Sequence, residues 1–135
     1  MLLTIDIGNT NIKYGIYKGK ELVASFRVSS RISRTADEYG SVLVNLLGDR
    51  GIKKADVDGI IISSVIPPLN YTICHMCEYF FGITPLMVGP GIKTGLNVKT
   101  DNPKEVGADI IVNSVSAFGK YGGPIVVIDF GTATT

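Results

Sequence analysis

Hydrophobic residues near the N-terminus follow the alternating pattern of β-strands. An apolar run at 2–7 leads into a short polar turn, and two further runs at 12–17 and 21–28 alternate apolar with polar or small residues. Alternation of this kind is typical of strands that bury one face. The pattern therefore predicts three consecutive antiparallel strands.

The period then changes to that of α-helices. Thr35-Ala36-Asp37-Glu38 has the sequence of a capping box, and the apolar residues after it share one helical face, so a helix is predicted from here to about Gly51. An unbroken apolar segment at 59–65 predicts a central strand that is covered on both faces. A second helix at about 69–81 and a short strand at 86–88 follow.

A third helix and a last strand complete the pattern. Asn102 is a good N-cap, Pro103 suits the first helical position and Glu105 completes a capping-box pattern. The apolar stripe of this third helix, which is expected to face the core, comprises Ala108, Ile111, Val112, Val115 and Phe118. The apolar run 125–128 predicts a final strand with an unpaired edge. The predicted fold is α/β, with a mixed sheet of three antiparallel strands followed by parallel strands, and flanking helices.

Composition narrows the class of protein. The chain has 135 residues, 45% hydrophobic and 19% charged, as expected of one well-packed domain. A net charge of +1 gives no electrostatic reason to expect nucleic acid or a membrane as partner. No apolar run has the length of a spanning helix and no signal peptide is recognisable, so a cytoplasmic protein is expected.

The two cysteines lie in the second predicted helix, within Cys74-His75-Met76-Cys77. A C-x-x-C pair suggests a redox or metal site. One pair and a histidine fall short of the four ligands of a structural zinc site, and a redox motif is expected at a helix start. Buried free thiols are the favoured interpretation. Three arginines at 27, 31 and 34 suggest either an anion-binding patch or solvated surface.

The turn between the first two strands concentrates polar groups. They are Asp6, Gly8, Asn9, Thr10, Asn11 and Lys13. Successive N–H groups of such a turn form an anion-binding concavity, and glycine lets the backbone approach a ligand. The carboxylate would repel a polyphosphate unless a cation lay between them, and oxygen ligands of these kinds suit Mg²⁺. The turn is predicted to bind phosphate and magnesium, and an ordinary hairpin turn is the alternative.

A second stretch repeats this motif near the C-terminus. The run 125–128 leads into Asp129-Phe130-Gly131-Thr132, as the first strand leads into Asp6-Ile7-Gly8-Asn9. Two strand-to-turn motifs of this type in one chain are more specific than either alone.

Four motifs together make the chain resemble the type III pantothenate kinases of the sugar kinase, actin and heat-shock ATPase superfamily. The motifs are Asp6 to Thr10, Gly89 to Gly95, Asn102 to Asp109 and Asp129 to Thr135. The resemblance implies a ribonuclease H-like (actin-like ATPase) domain in which the two acidic turns face each other across a nucleotide. It implies that residues 1–122 form this N-terminal domain, and 123–135 the first strand and phosphate turn of a second domain.

The implied activity is transfer of the γ-phosphoryl group of ATP to the primary hydroxyl of pantothenate, the first step of coenzyme A biosynthesis. The implied cofactors are Mg²⁺ and a monovalent cation, potassium or ammonium, and the full-length protein is expected to be a homodimer. Asp6 and Asp129 would organise the metal ions, and the resemblance associates Asp129 with the monovalent cation. Asn9, Thr10 and Thr132 would donate to phosphate oxygens. The other implied ATP- and phosphate-binding residues are Asp6, Gly8, Asn11, Lys13 and Gly131.

The catalytic residue implied by the resemblance is Asp109. On a helical wheel it points away from the core stripe, beside Gly107, whose missing side chain would admit a ligand; a solvated surface charge is the alternative. The implied substrate-binding residues are Thr100, Gly107, Ala108, Asp109, Ile110 and Lys93, the last in a glycine-rich loop that is otherwise a plain connector.

Two departures from the family leave alternatives open. The family has arginine, expected to hold the substrate carboxylate, where this chain has Ile110, and sometimes tyrosine where it has Thr100. Lys93 or Lys104 would have to compensate. The chain also ends after the second turn, so it is predicted to be inactive alone. A non-catalytic nucleotide-binding relative and a kinase with another small-molecule acceptor are the alternatives.

Overall fold

A five-stranded mixed sheet forms the centre of the computed structural model, which describes residues 1–89, 92–132 and 134–135. The strands are β1 (Leu2–Ile7), β2 (Asn11–Lys18), β3 (Glu21–Ser29), β4 (Gly59–Ser64) and β5 (Leu86–Met87). Their order is β3-β2-β1-β4-β5. The first three are antiparallel, and β4 and β5 are parallel to β1 and to each other. The predicted fold class and strand succession are confirmed.

Three α-helices accompany the sheet. They are α1 (Ala36–Gly48), α2 (Pro67–Phe81) and α3 (Ala108–Tyr121). The predicted capping box starts α1: the Glu38 amide donates to the Thr35 hydroxyl, and the Thr35 amide donates to the Glu38 carboxylate at 2.7 Å. These Thr35 hydrogen bonds lower the pKa of Glu38. Gly82 ends α2 in the left-handed conformation, with φ 67°, as glycine commonly does after a helix.

The hydrophobic core lies between the sheet and the helices α1 and α2. β1 lies in the middle of the sheet, and its Leu3, Ile5 and Ile7 are buried. Leu43 and Leu47 of α1 and several residues of α2 pack against the same core. Because Leu3, Ile5 and Ile7 are buried along β1, the position of the C-terminal end of this strand is fixed by the core.

The cysteines are part of this core, as expected for free thiols. Cys77 is buried and Cys74 is half-buried, with its Sγ 3.7 Å from the sulfur of Met87. Burial raises the pKa of the Cys77 thiol to about 12 and also raises that of Cys74. His75 lies outside, stacked between the exposed rings of Tyr71 and Tyr79. No helix in the described part of the chain is long and apolar enough to cross a membrane.

The predictions for the C-terminal third require correction. The segment Asn102-Pro103-Lys104-Glu105 does not begin the third helix; Pro103–Glu105 is a separate 3₁₀ turn, and Gly107 precedes α3 without a side-chain cap. Here Asn102 donates its side-chain amide to Glu105 instead of capping the helix.

The expected core stripe of α3 is also only partly right. Ala108 is buried, but Val115 and Phe118 are exposed, because α3 contacts the sheet chiefly at β4 and its C-terminal half extends beyond the core. The predicted strand at 125–128 is not formed, because its backbone has no strand to pair with in the described residues. Its four apolar side chains are exposed.

Candidate functional site

The first acidic turn joins the end of β1 to the start of β2. The Gly8 amide donates to the Asn11 carbonyl at 3.0 Å, closing the turn. Asp6 pairs with Lys13 across the β1–β2 ladder, and the lysine Nζ lies 3.4 Å from the carboxylate. Lys13 in turn pairs with Arg27 on β3. The ladder thus places Lys13 beside the Asp6 carboxylate and Arg27 one strand further on.

The second acidic turn lies opposite the first. Two backbone hydrogen bonds between Asp129 and Thr135, of 2.8 and 3.0 Å, close it. The hydroxyl oxygens of Thr10 and Thr132 are 2.9 Å apart and form a hydrogen bond that joins the two turns. The repeated motif therefore brings its two copies together, although 122 residues separate the two threonines in sequence.

Helix α3 forms a third side of the site. Asp109, in its first turn, accepts a hydrogen bond from the Ile110 amide at 2.8 Å. One helical turn later, Asn113 donates its side-chain amide to the Asp129 carboxylate at 3.1 Å. The helix thus contributes one carboxylate to the site and holds a second through an amide.

The space beside Gly107 is not open as predicted. A Cβ atom at this position would overlap the Asp109 carboxylate, with Val65 next nearest. The space left by the missing side chain is therefore filled by the Asp109 carboxylate, and it does not open to a ligand. Glycine here permits the conformation in which that carboxylate lies over the start of α3.

The two turns and α3 enclose a cleft of about 550 Å³, which we call the polar cleft. It is lined by every residue predicted to bind phosphate or metal and by the predicted catalytic aspartate: Asp6, Gly8, Asn9, Thr10, Asn11, Lys13, Asp109, Asp129, Gly131 and Thr132. Arg27 lines the cleft as well, so three carboxylates and two cationic side chains face one space. Such a mixture can take up a ligand that carries both phosphate groups and metal ions.

The predicted substrate-binding residues are more dispersed. Apart from Asp109 they do not line the polar cleft as described: Lys93 and Thr100 are exposed, Ala108 is buried and Ile110 is 40% exposed. Pro90 and Gly91 of the glycine-rich loop lie outside the described residues. Roles for these residues in substrate binding stay predictions.

Arg27 and Asn113 are polar residues that line the cleft but were not assigned to the site from the sequence. Arg27 lines the polar cleft, whereas Arg31 and Arg34 do not. The three arginines therefore do not act together as one patch at this cleft. The β2–β3 register, which sets Arg27 opposite Lys13, was the useful signal. Asn113 could have been found by its spacing, because residues i and i+4 lie on the same side of a helix.

The oxygen donors fit a magnesium ion. Carboxylates of Asp6 and Asp129 and hydroxyls of Thr10 and Thr132 line the same space, and Mg²⁺ prefers oxygen ligands. The described residues contain no group of three or more histidine, cysteine or acidic side chains that could hold a metal alone. Mg²⁺ is usually bound by one or two carboxylates with waters and substrate phosphates completing its shell, so the residues present suffice.

A mixed sheet in this order, with a polar cleft at the end of its first and central strand, defines a ribonuclease H-like α/β domain. Within that class the family is established by sequence: the model of the type III pantothenate kinases matches residues 2–135, and the chain belongs to this family. A type III pantothenate kinase from Halalkalibacterium halodurans is 51% identical over all 135 residues. The chain spans 53% of that relative's length.

Two solved structures are also similar. One is a putative N-acetylglucosamine kinase from Porphyromonas gingivalis, with a TM-score of 0.47 and 16% identity over 64% of this chain and 32% of that one. The other is the ROK hexokinase from Thermus thermophilus, with a TM-score of 0.47 and 16% identity over 64% of this chain and 34% of that one.

Proposed function

We propose that the complete protein phosphorylates pantothenate to 4'-phosphopantothenate with ATP. Family membership supports the reaction, and one structural observation supports the site: both acidic turns and Asp109 line the same cleft. A triphosphate lying between the turns would reach the backbone and hydroxyl donors of Asn9, Thr10 and Thr132. The acceptor hydroxyl would approach from the side of α3, where Asp109 lies.

Phosphoryl transfer depends mainly on alignment and on stabilisation of charge. Its transition state is loose, so little proton removal is needed early. The Asp109 carboxylate would therefore orient the acceptor hydroxyl and accept its proton late in the reaction. Because the Ile110 amide donates to Oδ1, one carboxylate oxygen is already held and Oδ2 is the one available to the acceptor.

Cations would neutralise the phosphates from two directions. Asp6 and Asp129 would hold Mg²⁺ and the monovalent cation, potassium or ammonium, which would supply positive charge close to the phosphate oxygens. Lys13 and Arg27 would add fixed positive charge from the sheet. The Lys13–Asp6 ion pair is exposed and 3.4 Å long, so it can open when a phosphate competes for the lysine.

One observation favours a second candidate with a different acceptor. Ile110 is apolar and does not line the polar cleft, so it cannot pair with a substrate carboxylate there. Losing one partner of such a charge pair costs roughly 2–5 kcal/mol. The family's arginine guanidinium is absent at position 110, and Lys93 or Lys104 would have to replace it. If neither does, the same phosphate site would belong to a superfamily kinase that phosphorylates an uncharged alcohol, or to a nucleotide-binding module without turnover.

ATP consumption by the complete protein, with potassium and Mg²⁺ present, separates these candidates. Turnover that requires pantothenate, and is lost with an analogue lacking the primary hydroxyl, supports the proposed reaction. Turnover with other alcohols but not with pantothenate supports the different acceptor. Nucleotide binding without turnover supports the non-catalytic module. The 135-residue chain alone is expected to be inactive in the same assay.

The same proposal extends to the organisation of the protein. Residues 1–122 would form the N-terminal ATPase domain and 123–135 the start of a second domain, with the remaining length of the relatives supplying the rest. We further propose a homodimeric, cytoplasmic protein whose partners are small molecules and not nucleic acid or membranes.

A further inference from the structure

We infer that Ser30 is a positioning residue for nucleotide phosphate: its hydroxyl fixes the first acidic turn with the Asn9 amide directed away from Ser30, toward the polar cleft. The identity of the ligand, a nucleotide phosphate, rests on the proposed function. The role of Ser30 in holding the turn rests on the hydrogen bonds of Ser30, whatever the ligand is. Ser30 follows β3 and does not itself line the cleft.

Ser30 contacts the turn twice. Its hydroxyl donates to the Gly8 carbonyl at 2.6 Å, and its backbone amide donates to the Thr10 carbonyl at 2.9 Å. The first contact is the short and partly buried one. Since the Gly8 amide is already bonded to Asn11, both polar groups of Gly8 have fixed partners.

Peptide planarity turns this contact into an orientation. The Gly8 carbonyl and the Asn9 amide belong to one trans peptide group, in which C=O and N–H point in opposite directions. A carbonyl held on Ser30 therefore directs the Asn9 N–H away from it, and both Gly8 and Asn9 line the polar cleft. A backbone donor fixed before the ligand arrives needs no reorganisation on binding, which is how oriented amides bind anions well.

Ser30 is itself held from behind. The next residue, Arg31, donates its amide to the Tyr39 hydroxyl at 2.8 Å and accepts a hydrogen bond from that hydroxyl at 2.9 Å. Tyr39 lies on α1 and is buried in the core. These contacts connect the core, through Tyr39, Arg31 and Ser30, to the first acidic turn.

The test compares Ser30→Ala, Ser30→Thr and the control Ser25→Ala in the complete protein. Ser25 is an exposed serine within β3, opposite Gly15, so Ser25→Ala removes the same hydroxyl group without removing a contact with the turn. Losing one hydrogen bond should raise KM for ATP roughly two- to tenfold in Ser30→Ala, with kcat little changed. Ser30→Thr keeps a hydroxyl and should restore the wild-type KM, and Ser25→Ala should not change it.

A second readout does not depend on activity. The Gly8 amide is protected by its bond to Asn11, so its hydrogen exchange reports how well the turn is held. Ser30→Ala should speed exchange at Gly8, while Ser30→Thr and Ser25→Ala should not. Unchanged exchange at Gly8 in Ser30→Ala would overturn the inference, as would a fall in kcat with no change in KM. If the wild-type protein shows no pantothenate-dependent turnover, the proposed function fails, and the exchange rates still decide the role of Ser30.

Discussion

The two acidic turns have nearly the same local sequence but very different surroundings. Ile5 and Ile128 each precede the aspartate, yet the first is 2% exposed and the second 60%. Ile7 and Phe130 each follow it, and they are 0% and 82% exposed. The first turn ends the central strand of a sheet, whereas the second follows a segment without strand partners in the described chain.

This difference shows that the local sequence of a turn does not determine which contacts hold the turn in place. The first turn is held by a strand ladder, the core and Ser30. The second is held by its own two backbone bonds and by side chains that belong to the cleft, Thr10 and Asn113. We infer that the first turn is preorganised by the fold, and that the second depends on contacts across the site.

The largest expected effect concerns Asp109, which lies in the cleft that both turns line. Asp109→Asn keeps the shape but weakens proton acceptance and alignment, so kcat of the complete protein should fall by roughly 10²–10⁴-fold. The affinity for ATP should change little, because the phosphates are assigned to the turns. Asp49→Asn, an exposed aspartate at the end of α1, is the matched control. Unchanged turnover in Asp109→Asn would remove this residue from the mechanism.

The matched isoleucines test the difference in support directly. In urea unfolding of the 135-residue chain, Ile5→Ala should lower the free energy of unfolding by about 2–5 kcal/mol, because it leaves a cavity in the core. Ile128→Ala should change it by less than about 0.5 kcal/mol, as expected for an exposed side chain. Equal losses at the two positions would contradict the comparison. A larger loss at Ile128 in the complete protein would show that the rest of the protein covers this segment.

The smallest expected effect concerns the amide that holds the second turn. Asn113→Ala removes the hydrogen bond to Asp129, a net loss of about 0.5–1.5 kcal/mol. Because Asp129 is the carboxylate proposed to hold the monovalent cation, the concentration of potassium needed for half-maximal activity should rise by roughly two- to tenfold. KM for pantothenate should change little. Ser116→Ala, on an exposed part of α3, serves as control. If the potassium requirement stays the same, Asn113 does not act through Asp129.

The sequence was most informative where local and tertiary preferences agree. Alternation at 12–17 and the capping box at Thr35 predicted their elements correctly, because burial and hydrogen bonding both favour them. The repeated turn motif predicted the lining of the cleft. The stripe on α3 failed at Phe118 because periodicity shows that a face is apolar but not what covers it.

The roles that could not be predicted from the sequence depend on contacts between elements or between nearby residues. The pairing of β2 with β3 brings Arg27 to the polar cleft and Ser30 to the first turn, and the register of that pair cannot be read from either strand alone. Gly107 was recognised as important, but its reason is a contact with the Asp109 carboxylate two residues away. Such roles depend on the three-dimensional arrangement, since neither spacing nor composition distinguishes a gap that admits a ligand from one already filled.

The central claim is that both acidic turns bind the same triphosphate. A crystal structure of the complete protein with Mg²⁺ and a non-hydrolysable ATP analogue tests it most directly. The account predicts phosphate oxygens within hydrogen-bonding distance of Thr10 on one side and Thr132 on the other, with Asp6 and Asp129 facing the cations. A triphosphate bound anywhere other than between the two turns would contradict it.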